Sequence, residues 1–134
     1  MVAFVADNSV VLSWFYPKQA TEYTERLLTL ADRAEVHTAF VWPAEFANAN
    51  LTLLRRKLID PVQSQEILKA VGGFGFITHA APESLARLID LGHDYGLSAY
   101  DAAYLELAQR LALPLVTRDI ALRKAAKALN LDLE

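Results

Sequence analysis

Short apolar runs alternate along this chain with longer stretches in which apolar residues recur every three or four positions. The runs at 2–6 (VAFVA), 36–41 (VHTAFV), 75–79 (GFITH) and 114–117 (PLVT) are rich in β-branched and aromatic residues and predict strands. Residues 131–133 predict one more, short strand. Helical spacing fills 19–34, 43–58, 61–71, 82–95, 98–112 and 120–130. In the first of these, Leu27, Leu28, Leu30 and Ala31 share one face, while Glu22, Glu25, Arg26 and Asp32 fall mainly elsewhere. Strands with almost no polar position inside them are buried on both sides, which is the signature of parallel strands covered by helices. The pattern therefore predicts a single domain over 1–134, a three-layer α/β/α sandwich around a central, mostly parallel sheet. In such sheets ligands collect beyond the carboxyl ends of the strands. Asp7 stands at one of those ends.

Composition narrows the chemistry. With 134 residues, 54% apolar and 22% charged, the chain can bury one sizeable core without disulfides. It contains no cysteine, so thiolate metal sites and cysteine nucleophiles are excluded. The first basic residue is Lys18, and no apolar run approaches the roughly 18 residues of a membrane span, so a cytoplasmic location without membrane contact is expected. A net charge of −3 argues against bulk attraction to nucleic acid. A local basic patch or a metal-bridged phosphate contact stays open.

Four acids stand out by position. Asp7 closes the first apolar run and precedes Asn8 and Ser9, which suits an Asx turn or the N-cap of a helix over 9–15 as well as a site. Asp119, in PLVTRDIAL, has the same double reading. Asp60 is the control: D-P-V-Q reads as N-cap, N1 proline and N3 glutamine, with no strand before it, and capping accounts for it. Asp101 shares a helical face with Tyr104, Leu105 and Ala108, while Glu106, Gln109 and Arg110 mark the polar side. Ser98 and Asp101 also have capping-box spacing. A carboxylate in an apolar stripe must be paired, hydrogen-bonded or metal-bound. Glu45, alone, reads as a solvated first-turn glutamate beside Asn48, Thr52, Arg55 and Arg56, with Phe46, Ala49, Leu53 and Leu54 turned inward. His37, His79 and His93 lack metal-binding spacing, and the basic residues of 55–57 and 118–127 read as solvated helix faces, some within reach of phosphates. Ser9 has neither a histidine partner nor a nucleophile-elbow context.

Taken in order, D-N-S at 7–9, E-F-A-N at 45–48, Y-D-A-A-Y-L-E-L-A at 100–108 and L-V-T-R-D-I-A-L at 115–122 resemble the PIN domain family. Within it the closest likeness is to the VapC-type toxins of bacterial and archaeal toxin–antitoxin pairs. The resemblance implies a PIN fold and an Mg²⁺- or Mn²⁺-dependent ribonuclease, the toxin component of a type II system. It implies acidic site residues at Asp7, Glu45, Asp101 and Asp119, with Ser9 and Thr117 supporting them by hydrogen bonds. It also implies an RNA substrate, a homodimer and a cognate antitoxin protein as partner.

Elementary electrostatics agrees with that implication. Two like charges about 4 Å apart repel by roughly 4 kcal/mol at an effective dielectric near 20, so four bare carboxylates brought together need a cation or protons. All-oxygen ligation suits Mg²⁺ or Mn²⁺, while the lack of cysteine and of clustered histidine disfavours zinc. Asp7, Asp101 and Asp119 are the expected metal ligands, direct or through water, and Glu45 is either a fourth ligand or orients the attacking water. Arg118, beside Asp119, either contacts a substrate phosphate or points to solvent. Two other readings compete: a PIN-like module kept for protein binding, and another acidic-site phosphoryl-transfer protein of doubly wound fold. A dehalogenase-like site would place a second aspartate where Ser9 stands, and a receiver would place one after 36–41 or 75–79.

Overall fold

The computed structural model describes residues 2–133. Four strands, β1 (Val2–Ala6), β2 (Ala34–Thr38), β3 (Ile77–Thr78) and β4 (Leu115–Val116), form one sheet in the order β3-β2-β1-β4. All three pairings are parallel. Around the sheet lie α1 (Asn8–Phe15), α2 (Glu22–Ala31), α3 (Trp42–Arg55), α4 (Pro61–Phe74), α5 (Leu85–Tyr95), α6 (Ala99–Leu111) and α7 (Ile120–Ala128), with a single 3-10 turn at Pro17–Gln19. The result is the expected α/β/α sandwich.

The chain leaves β1 toward β2 on one side and returns to β4 on the other. Because parallel crossovers are right-handed, these opposite excursions place their helices on opposite faces of the sheet. The strand order thus reverses between β1 and β4, where a crevice opens at the carboxyl ends. Asp7 and Thr117 follow those two strands directly, and the Asp7 backbone N–H donates to Val116 O at 3.3 Å. Asp7 is thereby fixed at the switch point.

Local chemistry sets the element ends. Asp60 and Gln63 form a reciprocal capping box at the start of α4, with Pro61 at its first position, as the D-P-V-Q spacing predicts. Gly96 ends α5 at φ 65°, in the left-handed region where a side chain is disfavoured. The central helix is α6, buried continuously from Ala102 to Ala108. It packs against β1, β4, α5 and α7. A helix enclosed on all sides has no polar face to show.

That enclosure corrects one expectation. Glu106, placed on a polar side by helical spacing, is 6% exposed, and its charge is met by a two-bond contact with Arg110 at 2.9 and 3.1 Å. β1 spans the expected 2–6, whereas β2, β3 and β4 are shifted or shorter than the apolar runs that predict them. Residues 39–41 leave the sheet to enter α3, where Trp42 N–H donates to Ala39 O at 3.0 Å. Residues 131–133 are not a strand; among the described residues Leu115 N–H donates to Leu131 O at 2.7 Å, which ties that segment to β4.

Candidate active site

Asp7 serves as both turn residue and site residue. It caps α1 and is 4% exposed, and its carboxylate accepts three hydrogen bonds. Oδ1 accepts from the Ser9 hydroxyl at 2.6 Å and from the Val10 backbone N–H at 3.2 Å, and Oδ2 accepts from the Thr117 hydroxyl. Burial pushes its pKa up to about 6, the three hydrogen bonds oppose that rise, and the charge of Asp101 adds to it. Ser9 and Thr117 each work twice. The Ser9 oxygen accepts from Arg118 N–H at 3.0 Å, and the Thr117 oxygen accepts from Asp119 N–H at 3.0 Å. The two hydroxyls therefore bind the β4–α7 turn to the β1–α1 turn.

Asp101 lies in the first turn of α6, where its backbone N–H donates to the Ser98 hydroxyl at 3.1 Å. Its pKa is raised by burial and then by the negative charge of Asp119, with Ser98 opposing. Asp119 caps α7 through Leu122 N–H at 2.8 Å and is exposed. Glu45, in the first turn of α3, is half-buried rather than solvated. Tyr104 O–H donates to its Oε1 at 2.6 Å, while burial and the Asp101 charge raise its pKa. Asp101 is the electrostatic hub: it acts on Asp7 and on Glu45, and Asp119 acts on it.

Spacing alone misses two residues. Tyr104 sits one helical turn beyond Asp101 on the same face, so its position is readable as core, but the half-buried acid it reaches comes from a helix 59 residues earlier. Burial and the neighbouring Glu45 carboxylate drive its phenol pKa upward, so it remains a proton donor. Arg123 lays its guanidinium over the Tyr23 ring, 4.5 Å from the centroid, and donates to Thr117 O at 2.8 Å. Arg118 is exposed, and its Nη1 donates to the Ser13 hydroxyl on α1 at 2.9 Å. The histidines, dispersed in sequence, are partly brought together, with His37 Nδ1 and His79 Nε2 2.8 Å apart across β2 and the end of β3.

The donor set fits a hard divalent cation. All four acids offer oxygen, and the pKa values of Asp7, Glu45 and Asp101 are raised first by burial and then by the charge of a neighbouring acid. Among the described residues no three acidic or histidine side chains are gathered into a ready cage. Mg²⁺ keeps several waters and takes only one or two carboxylates directly, so a cage is not required.

Ribonuclease VapC3 of Pyrobaculum aerophilum is 29% identical over 127 residues, covering 93% of this chain and 95% of the relative. A crystal structure of PAE2754 from Pyrobaculum aerophilum superposes with a TM-score of 0.70 at 22% identity, covering 92% of this chain and 79% of that one. A toxin–antitoxin complex from Klebsiella pneumoniae superposes with a TM-score of 0.62 at 20% identity over 87% of this chain and 86% of the other. Residues 4–128, which include all four acids and both supporting hydroxyls, match the PIN domain, and the chain belongs to that family.

Proposed function

We propose that this chain is a divalent-cation-dependent endoribonuclease, the toxin of a toxin–antitoxin pair that acts on cytoplasmic RNA. The observation that carries this reading is the placement of Asp7 at the switch point, buried and raised to about pKa 6, with Asp101 close enough to push it further. A cation bound beside Asp7 and Asp101 would offset both the burial and the mutual repulsion of these carboxylates. Family membership and the name of the Pyrobaculum aerophilum ribonuclease support the substrate class. The Klebsiella pneumoniae complex supports an antitoxin as partner. A homodimer is the assembly proposed with it.

Asp7, Asp101 and Asp119 would hold Mg²⁺ or Mn²⁺, with Glu45 as a fourth ligand or as the group that orients water. Bound there, the cation would lower the pKa of the attacking water and neutralise charge on the departing oxygen. The chain's own residues set the geometry. Ser9, Thr117 and the Val10 N–H hold the Asp7 carboxylate in one orientation. Tyr104 holds one oxygen of Glu45, which leaves the other to accept a hydrogen from water. The Arg118 guanidinium lies on the Ser13 hydroxyl, beside the same turn.

The test is incubation of the purified chain with structured RNAs, with and without Mn²⁺, alongside Asp7→Asn and Asp101→Asn. Internal cleavage that requires the cation and is lost in both variants is expected. Cleavage that survives a chelator, or is equal in the variants, would overturn the proposal. A chain that binds an antitoxin yet never cuts would be the protein-binding module instead.

A further inference from the structure

Thr117 has a second side. Behind it, along the outer edge of β4, a groove of about 440 Å³ opens between α2 and α7. Leu27, Leu30 and Leu115 line it with apolar surface. Tyr23 and Arg123 form the end nearest the acids, joined by the cation–π contact described above. Arg26 and Lys127 stand along it as exposed cations, with Asp132 and, bonded loosely to Arg26 at 3.8 Å, Glu22 as the nearby acids. Two hydrogen bonds connect the groove to the site: Arg123 to Thr117 O, and the Thr117 hydroxyl to Asp7.

We propose that this groove binds one nucleotide of a single-stranded RNA whose neighbouring phosphodiester lies at the acids. The inference rests on the ribonuclease reading and adds to it where the strand runs. An apolar surface beside a stacked Tyr–Arg pair suits the face of a base, and flanking cations suit its phosphate. The volume matches a small-ligand site and leaves no room for a duplex. Charge gives the groove its purpose. The chain carries a net −3 and four acids at the site, so an RNA strand is repelled unless local cations guide it. Arg26, Arg123 and Lys127 supply such cations in continuity with Asp7. Because Arg123 touches Thr117 directly, a base seated against it would fix the register of the strand relative to the acids.

The test compares two charge-reversed variants of the Asp7→Asn chain, which is expected to bind without cutting. One carries Arg26→Glu with Lys127→Glu; the other carries Lys69→Glu with Arg87→Glu on α4 and α5, which changes net charge equally. Affinity for a short single-stranded RNA is measured across salt concentration, and KM is measured for the same substitutions in the active chain. The groove pair is expected to weaken Kd and raise KM about tenfold, and to flatten the log–log salt slope by about 1.4, two phosphates at roughly 0.7 each. The control pair should change each far less. Equal effects from both pairs, in a chain that still cleaves, would overturn the groove alone. A chain that neither cleaves nor binds RNA would overturn the ribonuclease reading and the groove with it. Lost affinity for the antitoxin with RNA affinity unchanged would make the groove a protein site and also overturn the proposal.

Discussion

The Thr117 hydroxyl donates to Asp7 Oδ2 at 2.5 Å, joining the ends of two adjacent strands that lie 110 residues apart in sequence. The same oxygen accepts from Asp119 N–H, so one hydroxyl aligns two of the four acids. Thr117→Val keeps the shape and removes both bonds. A buried carboxylate that loses a donor costs about 1–3 kcal/mol. The variant should therefore melt earlier at pH 7.5, and the loss should shrink near pH 4, where Asp7 is protonated. It should also cleave more slowly. Thr117→Ser, which restores the hydroxyl without the methyl, should recover most of both losses; no recovery would assign the effect to packing.

Asp7 itself sets a pH dependence of the metal-free fold. The native chain keeps a proton on Asp7 up to about pH 6, whereas an ordinary aspartate releases it near 3.8. Across that interval the native state binds more protons than the unfolded state, so stability is full below about 3.8 and falls as pH rises through about 6. A shift of this size corresponds to roughly 3 kcal/mol, reduced by whatever hydrogen bonds an asparagine forms less well. Asp7→Asn should thus melt several degrees above the parent at pH 7.5 in chelator, with the two converging near pH 4. Added Mn²⁺ should raise the melting temperature of the parent and not of the variant. Identical pH profiles for the two chains would refute this account.

Why the sequence reveals Asp7 more clearly than Glu45 follows from where each acid sits. Asp7 and Asp119 end apolar runs, and a polar residue at the carboxyl end of a buried parallel strand faces the ligand crevice by topology alone. Asp101 betrays itself by breaking an apolar stripe. Glu45 has no such local signal, because its half-burial comes from the phenol of Tyr104 on a helix that meets it only in the folded chain. Arg118 and Arg123 read as solvated and are exposed, but their partners Ser13 and Tyr23 are distant in sequence and meet them only in the folded chain. The strand limits are less legible than the layers. Parallel pairing over two residues, as in β3 and β4, leaves the rest of each apolar run to turns that composition does not mark.

The Tyr104–Glu45 contact makes Tyr104 a positioning residue. Tyr104→Phe removes one buried oxygen and its 2.6 Å bond while keeping the ring in the core. Glu45 is then free to turn, and kcat should fall by about tenfold, the equivalent of one charge-assisted hydrogen bond of roughly 1.4 kcal/mol, with KM unchanged. In a Glu45→Gln chain the further loss on removing the Tyr104 hydroxyl should be small, because residues that act as a unit are not additive. Full additivity would separate the two, and an unaffected Glu45→Gln enzyme would remove Glu45 from the site altogether.

The Glu106–Arg110 pair is a fold device that should leave the chemistry untouched. Glu106 is enclosed in α6, and Arg110 meets it through Nε and Nη2, while the same Nη2 also donates to Ala80 O at 3.1 Å, tying α6 to the segment after β3. Breaking one side of a buried pair is worse than removing both, since the stranded carboxylate must be desolvated without compensation. Because Arg110 is itself 39% exposed and water can reach the pair, Arg110→Met alone should destabilise by about 1–2 kcal/mol, and the double change Glu106→Gln with Arg110→Met by less. At a temperature where all three chains are folded, kcat should be the same. Denaturant unfolding measures the first two quantities, and a double variant less stable than Arg110→Met would show that the pair contributes through specific bonds rather than by sparing Glu106 an unpaired charge.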